Sequence, residues 1–193
     1  MAEGPRERGY LIKEGGIDAF DERIRKVESS NLPKEIRSPL KARLRGLIPE
    51  LQQFFQVQLA DCESPQFLIY SPGSFFKAHS DGGKKGHNHF AQLRRISIVV
   101  FLNSESEEPA EETFGGGRLT FHGLLKGPYW EHCAFPLTAQ TGLLVAFPSE
   151  IVHEVTPVTH GCRFSLVTWL HAPDPAPVSE DAAAIDGPRE APL

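Results

Sequence analysis

Apolar residues recur along this chain in two rhythms: every three to four residues in the first third, every second residue after that. Ile17, Phe20, Ile24 and Val27 fall on one face of a helix, and the spacing predicts an amphipathic helix there. Ser38 before Pro39 reads as an N-cap followed by proline at the first helical position. Pro49 then closes that helix and opens another, in which Leu51, Phe54, Phe55 and Leu59 form one apolar stripe. Such a stripe is the mark of a helix packed on a sheet.

From Gln66 the texture changes to short strands. Gln66 to Ser71 is one, and Arg94 to Asn103 is the strongest. In the latter, Ile96, Ile98 and Val100 alternate with Ser97, Val99 and Phe101, with little charge on either face, which predicts a strand covered on both sides. Arg118 to His122, Leu143 to Phe147, His153 to Val158 and Phe164 to His171 follow, punctuated by Gly115-Gly116-Gly117, Gly142 and Pro148. The triple glycine reads as a tight turn into the Arg118 strand. Many short strands suggest a sandwich or barrel, and helices first, strands second, put the helices on one side of a β core. The fold class expected is mainly β with supporting N-terminal helices over about 17–60 and a β core over about 66–171, one domain spanning 1–171. Residues 172–193, rich in Pro and Ala, read as a disordered tail. Ser104 to Thr113, with five glutamates and no basic residue, and Gly82 to His89 read as solvated loops.

Composition narrows the function classes. A net charge of -5 argues against a broad grip on nucleic-acid phosphate. The charged, core-less N-terminus does not read as a secretory signal, and the longest apolar run, Ile98 to Leu102, is far too short for a membrane span. Three scattered cysteines, Cys62, Cys133 and Cys162, form neither a disulfide framework nor a zinc site. They fit a reducing compartment, cytoplasmic or nuclear. Eight histidines against three cysteines leave room for a metal site built from nitrogen and oxygen.

Three features give that possibility content. His79-Ser80-Asp81 is an HxD, His153 stands 72 positions later after an apolar strand, and Arg163 opens the last strand ten residues further on. In an extended segment residues i and i+2 share a face, so one imidazole and one carboxylate converge. A second histidine makes a set of three that suits a borderline metal such as Fe(II) and leaves coordination positions open. An HxD alone also arises from a surface histidine beside a turn aspartate. Arg163 lies in an apolar strand, where an unpaired charge is costly, and its guanidinium can grip a carboxylate with two parallel hydrogen bonds.

Together these segments resemble the Fe(II)/2-oxoglutarate-dependent dioxygenases, within them the prolyl 4-hydroxylase-like branch. The resemblance rests on Tyr70-Ser-Pro-Gly-Ser-Phe-Phe-Lys-Ala-His79-Ser-Asp81, Ile96 to Asn103, Gly116-Gly117-Arg-Leu-Thr-Phe, Phe147 to Pro157 and Arg163 to Trp169. It covers about residues 66–171 and implies a double-stranded β-helix, or jelly roll. It further implies His79, Asp81 and His153 as iron ligands, Arg163 as the grip on the distal carboxylate of 2-oxoglutarate, and Tyr70 near that co-substrate. The implied reaction consumes dioxygen and 2-oxoglutarate, releases succinate and carbon dioxide, and hydroxylates a C–H bond. Ascorbate is a further cofactor that the branch allows. Related halogenases lack a carboxylate at the position of Asp81, so its presence favours hydroxylation.

Two departures bear on the pocket. Collagen-type relatives carry lysine where this chain has Arg163, and hypoxia-type prolyl hydroxylases carry tyrosine where it has Phe101, which cannot donate a hydrogen bond. The branch implies a protein or peptide substrate. A small-molecule oxygenase and a silent binding or scaffold module on the same fold are the alternatives. Nucleic-acid demethylases carry a second arginine where Trp169 stands, so nucleic acid is not expected. Lys84-Lys85 and the Glu-rich loop could flank a substrate groove. His87 and His89, and the remaining histidines at 122, 132, 160 and 171, read as structural or surface residues. A GxSxG elbow and the P-loop Lys and Ser/Thr are absent.

Overall fold

The computed structural model describes residues 6–8, 11–12, 18–19, 23–30, 32–82, 89–125, 127 and 133–174 of the 193-residue chain. In chain order the elements are β1 (Arg6–Arg8), β2 (Leu11–Ile12), β3 (Asp18–Ala19), β4 (Arg25–Lys26), β5 (Glu28–Ser30), α1 (Lys34–Arg45) and α2 (Ile48–Phe55). Next come β6 (Asp61–Cys62), β7 (Gln66–Tyr70), β8 (Phe75–His79), α3 (His89–Leu93), β9 (Arg94–Phe101), β10 (Ser104–Glu105), β11 (Thr113–Gly116) and β12 (Leu119–His122). The last are β13 (Ala134–Leu137), β14 (Leu144–Pro148), β15 (His153–Val155), β16 (Val158–Gly161) and β17 (Arg163–His171).

Two antiparallel sheets carry the architecture. The larger runs β1-β5-β7-β17-β9-β14, with β6 on the end of β17, and the smaller runs β13-β12-β15-β8-β4. Their inner faces meet in a shared core: Val99, Phe101 and Phe147 of the large sheet pack with Leu119 and Phe121 of the small one. Leu68 and Tyr70 likewise meet Val155. The opposite face of the large sheet, through Ile96, Ile98 and Leu170, is covered by Leu44 of α1 and by Leu51 and Phe55 of α2. This is the jelly roll with helical support that the sequence implied. The strand at 94–103 is indeed covered on both faces, because helices pack on one and the small sheet on the other.

Several expectations change. Residues 23–27 are not helical. Arg25–Lys26 pairs with β8 and Glu28–Ser30 with β7, while Val27 between them is buried against Leu68 and Tyr70. Cross-strand hydrogen bonds in two sheets override a helical spacing there; Ile17 and Phe20 lie outside the described residues. Among the described residues helical support begins at Lys34. Pro39 sits inside α1 rather than at its start, the N-cap being Pro33. Pro39 and Glu35, whose carbonyl loses its partner, are both exposed, so water takes up the missing bond. Phe54 leaves the predicted stripe, 77% exposed. The strand expected over His153–Val158 divides at Thr156-Pro157, and its second half crosses to pair with β11. The Glu-rich stretch is exposed only in its middle. Its ends form a parallel β10–β11 pair, and Glu105 holds Arg118 at 2.6 Å. Most of the Gly82–His89 loop and of the tail lies outside the described residues.

Candidate active site

The local register brings the HxD and the distant histidine together. β15 pairs with β8 so that His153 stands directly opposite His79, and Asp81 follows two residues on. One ligand atom from each of His79, Asp81 and His153 lies within 4.8 Å of the others. His79 Nε2 is 3.5 Å from Asp81 Oδ1 and His153 Nε2 is 3.5 Å from Oδ2. Each imidazole is oriented from its far side, His79 Nδ1 by the Lys77 carbonyl at 2.8 Å and His153 Nδ1 by the Ile151 carbonyl at 2.9 Å. Since Nδ1–H donates there, both Nε2 lone pairs point at the space beside the carboxylate.

The surroundings fix these side chains further. The Phe76 ring stacks on His79 at 3.6 Å, and Phe147 meets His153 edge-on at 4.8 Å. Burial holds His153 below its ordinary pKa despite the attraction of Asp81, which keeps it as the neutral imidazole that binds metals. Burial pushes the Asp81 carboxyl up, but the polar groups and the two imidazoles around it outweigh that effect. Its carboxyl is held well below the usual carboxylate range. Ser97 Oγ donates to Asp81 Oδ2 at 2.7 Å, with Ser149 Oγ at 3.0 Å behind it. The Asp81 backbone N–H donates to Ser149 O at 2.9 Å. Among the described residues this is the one cluster of three such side chains with metal-ligating spacing.

A cavity of about 570 Å³ opens from this cluster between the sheets. Alternate residues of β17, namely Arg163, Ser165, Val167 and Trp169, line it. Arg163 is 1% exposed and stands directly across from Tyr70. Its guanidinium carbon lies 4.8 Å from the Tyr70 ring and 5.0 Å from the Phe101 ring. Nε and Nη1 have no partner, and neither has the Ser165 hydroxyl. A fully buried cation with two orphaned N–H groups beside an orphaned hydroxyl is costly unless an anion completes it. The arrangement fits a carboxylate, and the His/Asp/His donor set fits a borderline divalent metal with open positions. The structure thus brings all five expected residues to one cavity: His79, Asp81 and His153 at one end, Arg163 and Tyr70 at the other. Phe101 supplies a ring face to Arg163 in place of a hydroxyl.

Sequence reading missed Ser97, Ser149, Phe76 and the network behind Asp81. Ser97 carried a signal, a hydroxyl on the inward face of an otherwise apolar strand. Glu63 and Arg94, paired through two short hydrogen bonds across 31 residues of chain, carried none. His122 pairs with Glu154 at 3.1 Å on β12 and β15, a structural role as expected. His160 packs its ring over Gly115, where a Cβ would stand 2.1 Å from the imidazole.

The 2OG-Fe(II) oxygenase superfamily model matches residues 65–171. A PKHD-type hydroxylase of Klebsiella pneumoniae strain 342 is 29% identical over 144 residues, covering 72% of this chain and 58% of its own. The chain thus spans less than two thirds of that relative's length. A solved prolyl-4-hydroxylase of Pseudomonas putida is 26% identical with a TM-score of 0.60, over 79% of this chain and 76% of that one. A Trichoplax adhaerens prolyl hydroxylase, solved with a hypoxia inducible factor peptide fragment, matches in fold with a TM-score of 0.61 at 16% identity, over 86% of this chain and 70% of its own.

Proposed function

The chain belongs to the 2OG-Fe(II) oxygenase superfamily, whose metal is Fe(II) and whose co-substrate is 2-oxoglutarate, and from that premise we propose that it hydroxylates a C–H bond of a protein or peptide substrate. Prolyl residues are the first candidates, because the Pseudomonas putida and Trichoplax adhaerens neighbours are named as prolyl hydroxylases. The observation that carries the reading is the single cavity with a His79/Asp81/His153 donor set at one end and an orphaned, buried Arg163 at the other.

The chemistry supplied by bound Fe(II) and 2-oxoglutarate is activation of dioxygen for hydroxylation, with succinate and carbon dioxide released. The protein's part is placement. His79 and His153 present neutral Nε2 atoms, and Asp81 presents an ionised oxygen between them. Arg163 and Ser165 offer donors to the distal carboxylate of the co-substrate, and Tyr70 and Phe101 wall off the guanidinium from water. Phe76 and Phe147 fix the imidazole planes and keep the metal end apolar. The same cavity is also lined by Ser29, Ser30 and Gln66 of β5 and β7, which leaves room for a substrate segment besides the co-substrate. Residues 1–171 form the oxygenase domain in this reading, with 172–193 outside it. The odd, scattered set of Cys62, Cys133 and Cys162 favours the reducing cytoplasm or nucleus; among the described residues no helix is long and apolar enough to cross a membrane.

The test is anaerobic mixing of the purified chain with Fe(II) and 2-oxoglutarate, watching for the metal-to-ligand charge-transfer band. Oxygen-dependent succinate release would follow. His79→Ala and Asp81→Ala should abolish both signals; full succinate release by either variant under iron-limited conditions sinks the assignment. Mass spectrometry for one added oxygen atom on candidate peptides and metabolites then decides between peptide and small-molecule substrates.

A further inference from the structure

Behind Asp81, on the side away from the histidines, lies a polar network that the proposed reaction does not use. Arg94 opens β9 and is only 9% exposed. Its Nε and Nη2 donate to the two carboxylate oxygens of Glu63 at 2.6 and 2.8 Å, a bidentate grip. Its third nitrogen, Nη1, donates to the Asp81 backbone carbonyl at 3.3 Å. The guanidinium carbon stands 3.7 Å from the centre of the Trp169 ring, and Trp169 lines the same cavity as Asp81. Glu63 is itself anchored to β17, its N–H donating to Trp169 O at 2.8 Å and its carbonyl accepting from Thr168 Oγ1 at 2.7 Å.

We propose that Arg94 is a positioning residue for Asp81, holding the aspartate's backbone directly. This rests on the reading of Asp81 as a metal ligand. Asp81 leaves the end of β8 and enters a loop, so no sheet partner fixes its backbone beyond Ser149. Two segments far apart in sequence, the Glu63 turn and the end of β17, converge on it through one guanidinium. The bidentate Glu63 contact sets the plane of the guanidinium. The Asp81 carboxylate itself is held by Ser97 on one oxygen. Gly82 follows because space is lacking: a Cβ there would stand 2.9 Å from Arg94 Cβ. Partners behind a ligand of this kind typically tune metal affinity by about 10- to 100-fold.

The test is anaerobic titration of the metal-free protein with Co(II), read by visible absorbance, beside thermal unfolding of each metal-free variant. Arg94→Gln is expected to weaken Co(II) binding by about 10- to 100-fold. Arg94→Lys keeps a charge against Glu63 but has no fork to reach the Asp81 carbonyl as well. It should recover melting temperature and leave Co(II) affinity low, a split that a merely structural residue would not give. If Arg94→Gln does not fold, Arg94→Lys decides. Wild-type Co(II) affinity in folded Arg94→Lys overturns the proposal. Asp81→Asn is the control: if it too binds Co(II) as the wild type does, the ligand assignment fails, whereas its loss alone confines the failure to Arg94.

Discussion

Replacing Arg163 by methionine should make the protein more stable and the co-substrate weaker, two changes of opposite sign from one site. In the absence of ligand the guanidinium is 1% exposed with Nε and Nη1 unpartnered. Exchanging such a group for an apolar one of similar volume gains on the order of 1–4 kcal/mol. Against this stands the loss of its contacts over the Tyr70 and Phe101 rings at 4.8 and 5.0 Å, worth about 0.5–2 kcal/mol. The net is a gain of about 1–2 kcal/mol, and in a chain of this size each such unit raises the melting temperature by about 2–4 °C. Binding moves the other way. Two charge-assisted hydrogen bonds to a carboxylate contribute about 1.5–3 kcal/mol each, so their loss should weaken 2-oxoglutarate by roughly 10²- to 10⁴-fold. Thermal unfolding of the metal-free protein reads the first change. Calorimetric titration of 2-oxoglutarate into the Mn(II)-loaded protein reads the second. A variant less stable than wild type with unchanged 2-oxoglutarate affinity would refute both halves and remove Arg163 from the site.

Asn103→Ala should cost about 2–4 kcal/mol, because one side chain serves Phe164 N–H at 2.9 Å, Cys162 O at 2.8 Å and Glu112 O at 3.1 Å. Since Phe164 adjoins Arg163, 2-oxoglutarate affinity should fall with it, checked by the same titration. Gly161→Ala should lower stability by about 2–3 kcal/mol: its φ is +65° and a Cβ would stand 2.1 Å from the Thr113 carbonyl oxygen. Urea unfolding with an unchanged midpoint would contradict that reading. Leu170→Ala, at a 0% exposed position between the large sheet and the helices, should cost about 2–5 kcal/mol while leaving Co(II) affinity of the folded protein unchanged.

What could be read beforehand followed from how local each signal is. The strand at Arg94–Phe101 and the strand at Arg163–His171 announce themselves through runs of β-branched and aromatic residues buried on both faces. The donor set was legible because two of its members sit two residues apart, and the third follows a strand at a recognisable distance from an arginine. By contrast β8, which carries His79, escaped the reading. Its sequence Phe75-Phe76-Lys77-Ala78-His79 places two aromatics in succession and then a lysine, so no period of two emerges. Its strand character comes from pairing with β15 and β4. The stretch from Ile24 to Val27 shows the converse, a helical spacing that is not helical where it is described, since residues at such intervals fit a pair of short strands equally well. Glu63, Arg94 and Trp169 could not be grouped from the sequence at all, because only the finished sheet brings residues 63, 94 and 169 to one point.

The strand β17 explains why fold and chemistry are so closely joined here. It is bonded on both sides, to β7 and to β9, so its register is set by the most extensive pairing in the molecule. Every second side chain, Arg163, Ser165, Val167 and Trp169, faces the cavity, while Leu166 and Leu170 are buried with the opposite set. A slip of one residue would exchange the two sets, turning the guanidinium and the indole out of the cavity and leucines into it. The Asn103 hydrogen bonds to Phe164 and Cys162 oppose that slip at the start of the strand, and the Glu63 bonds to Thr168 and Trp169 oppose it at the end. The strand thus holds Arg163 and Trp169 at a fixed separation along the cavity wall. The buried polar groups that weaken this sheet in isolation are tolerated because its apolar face, packed under the two helices, holds the register in which they are useful.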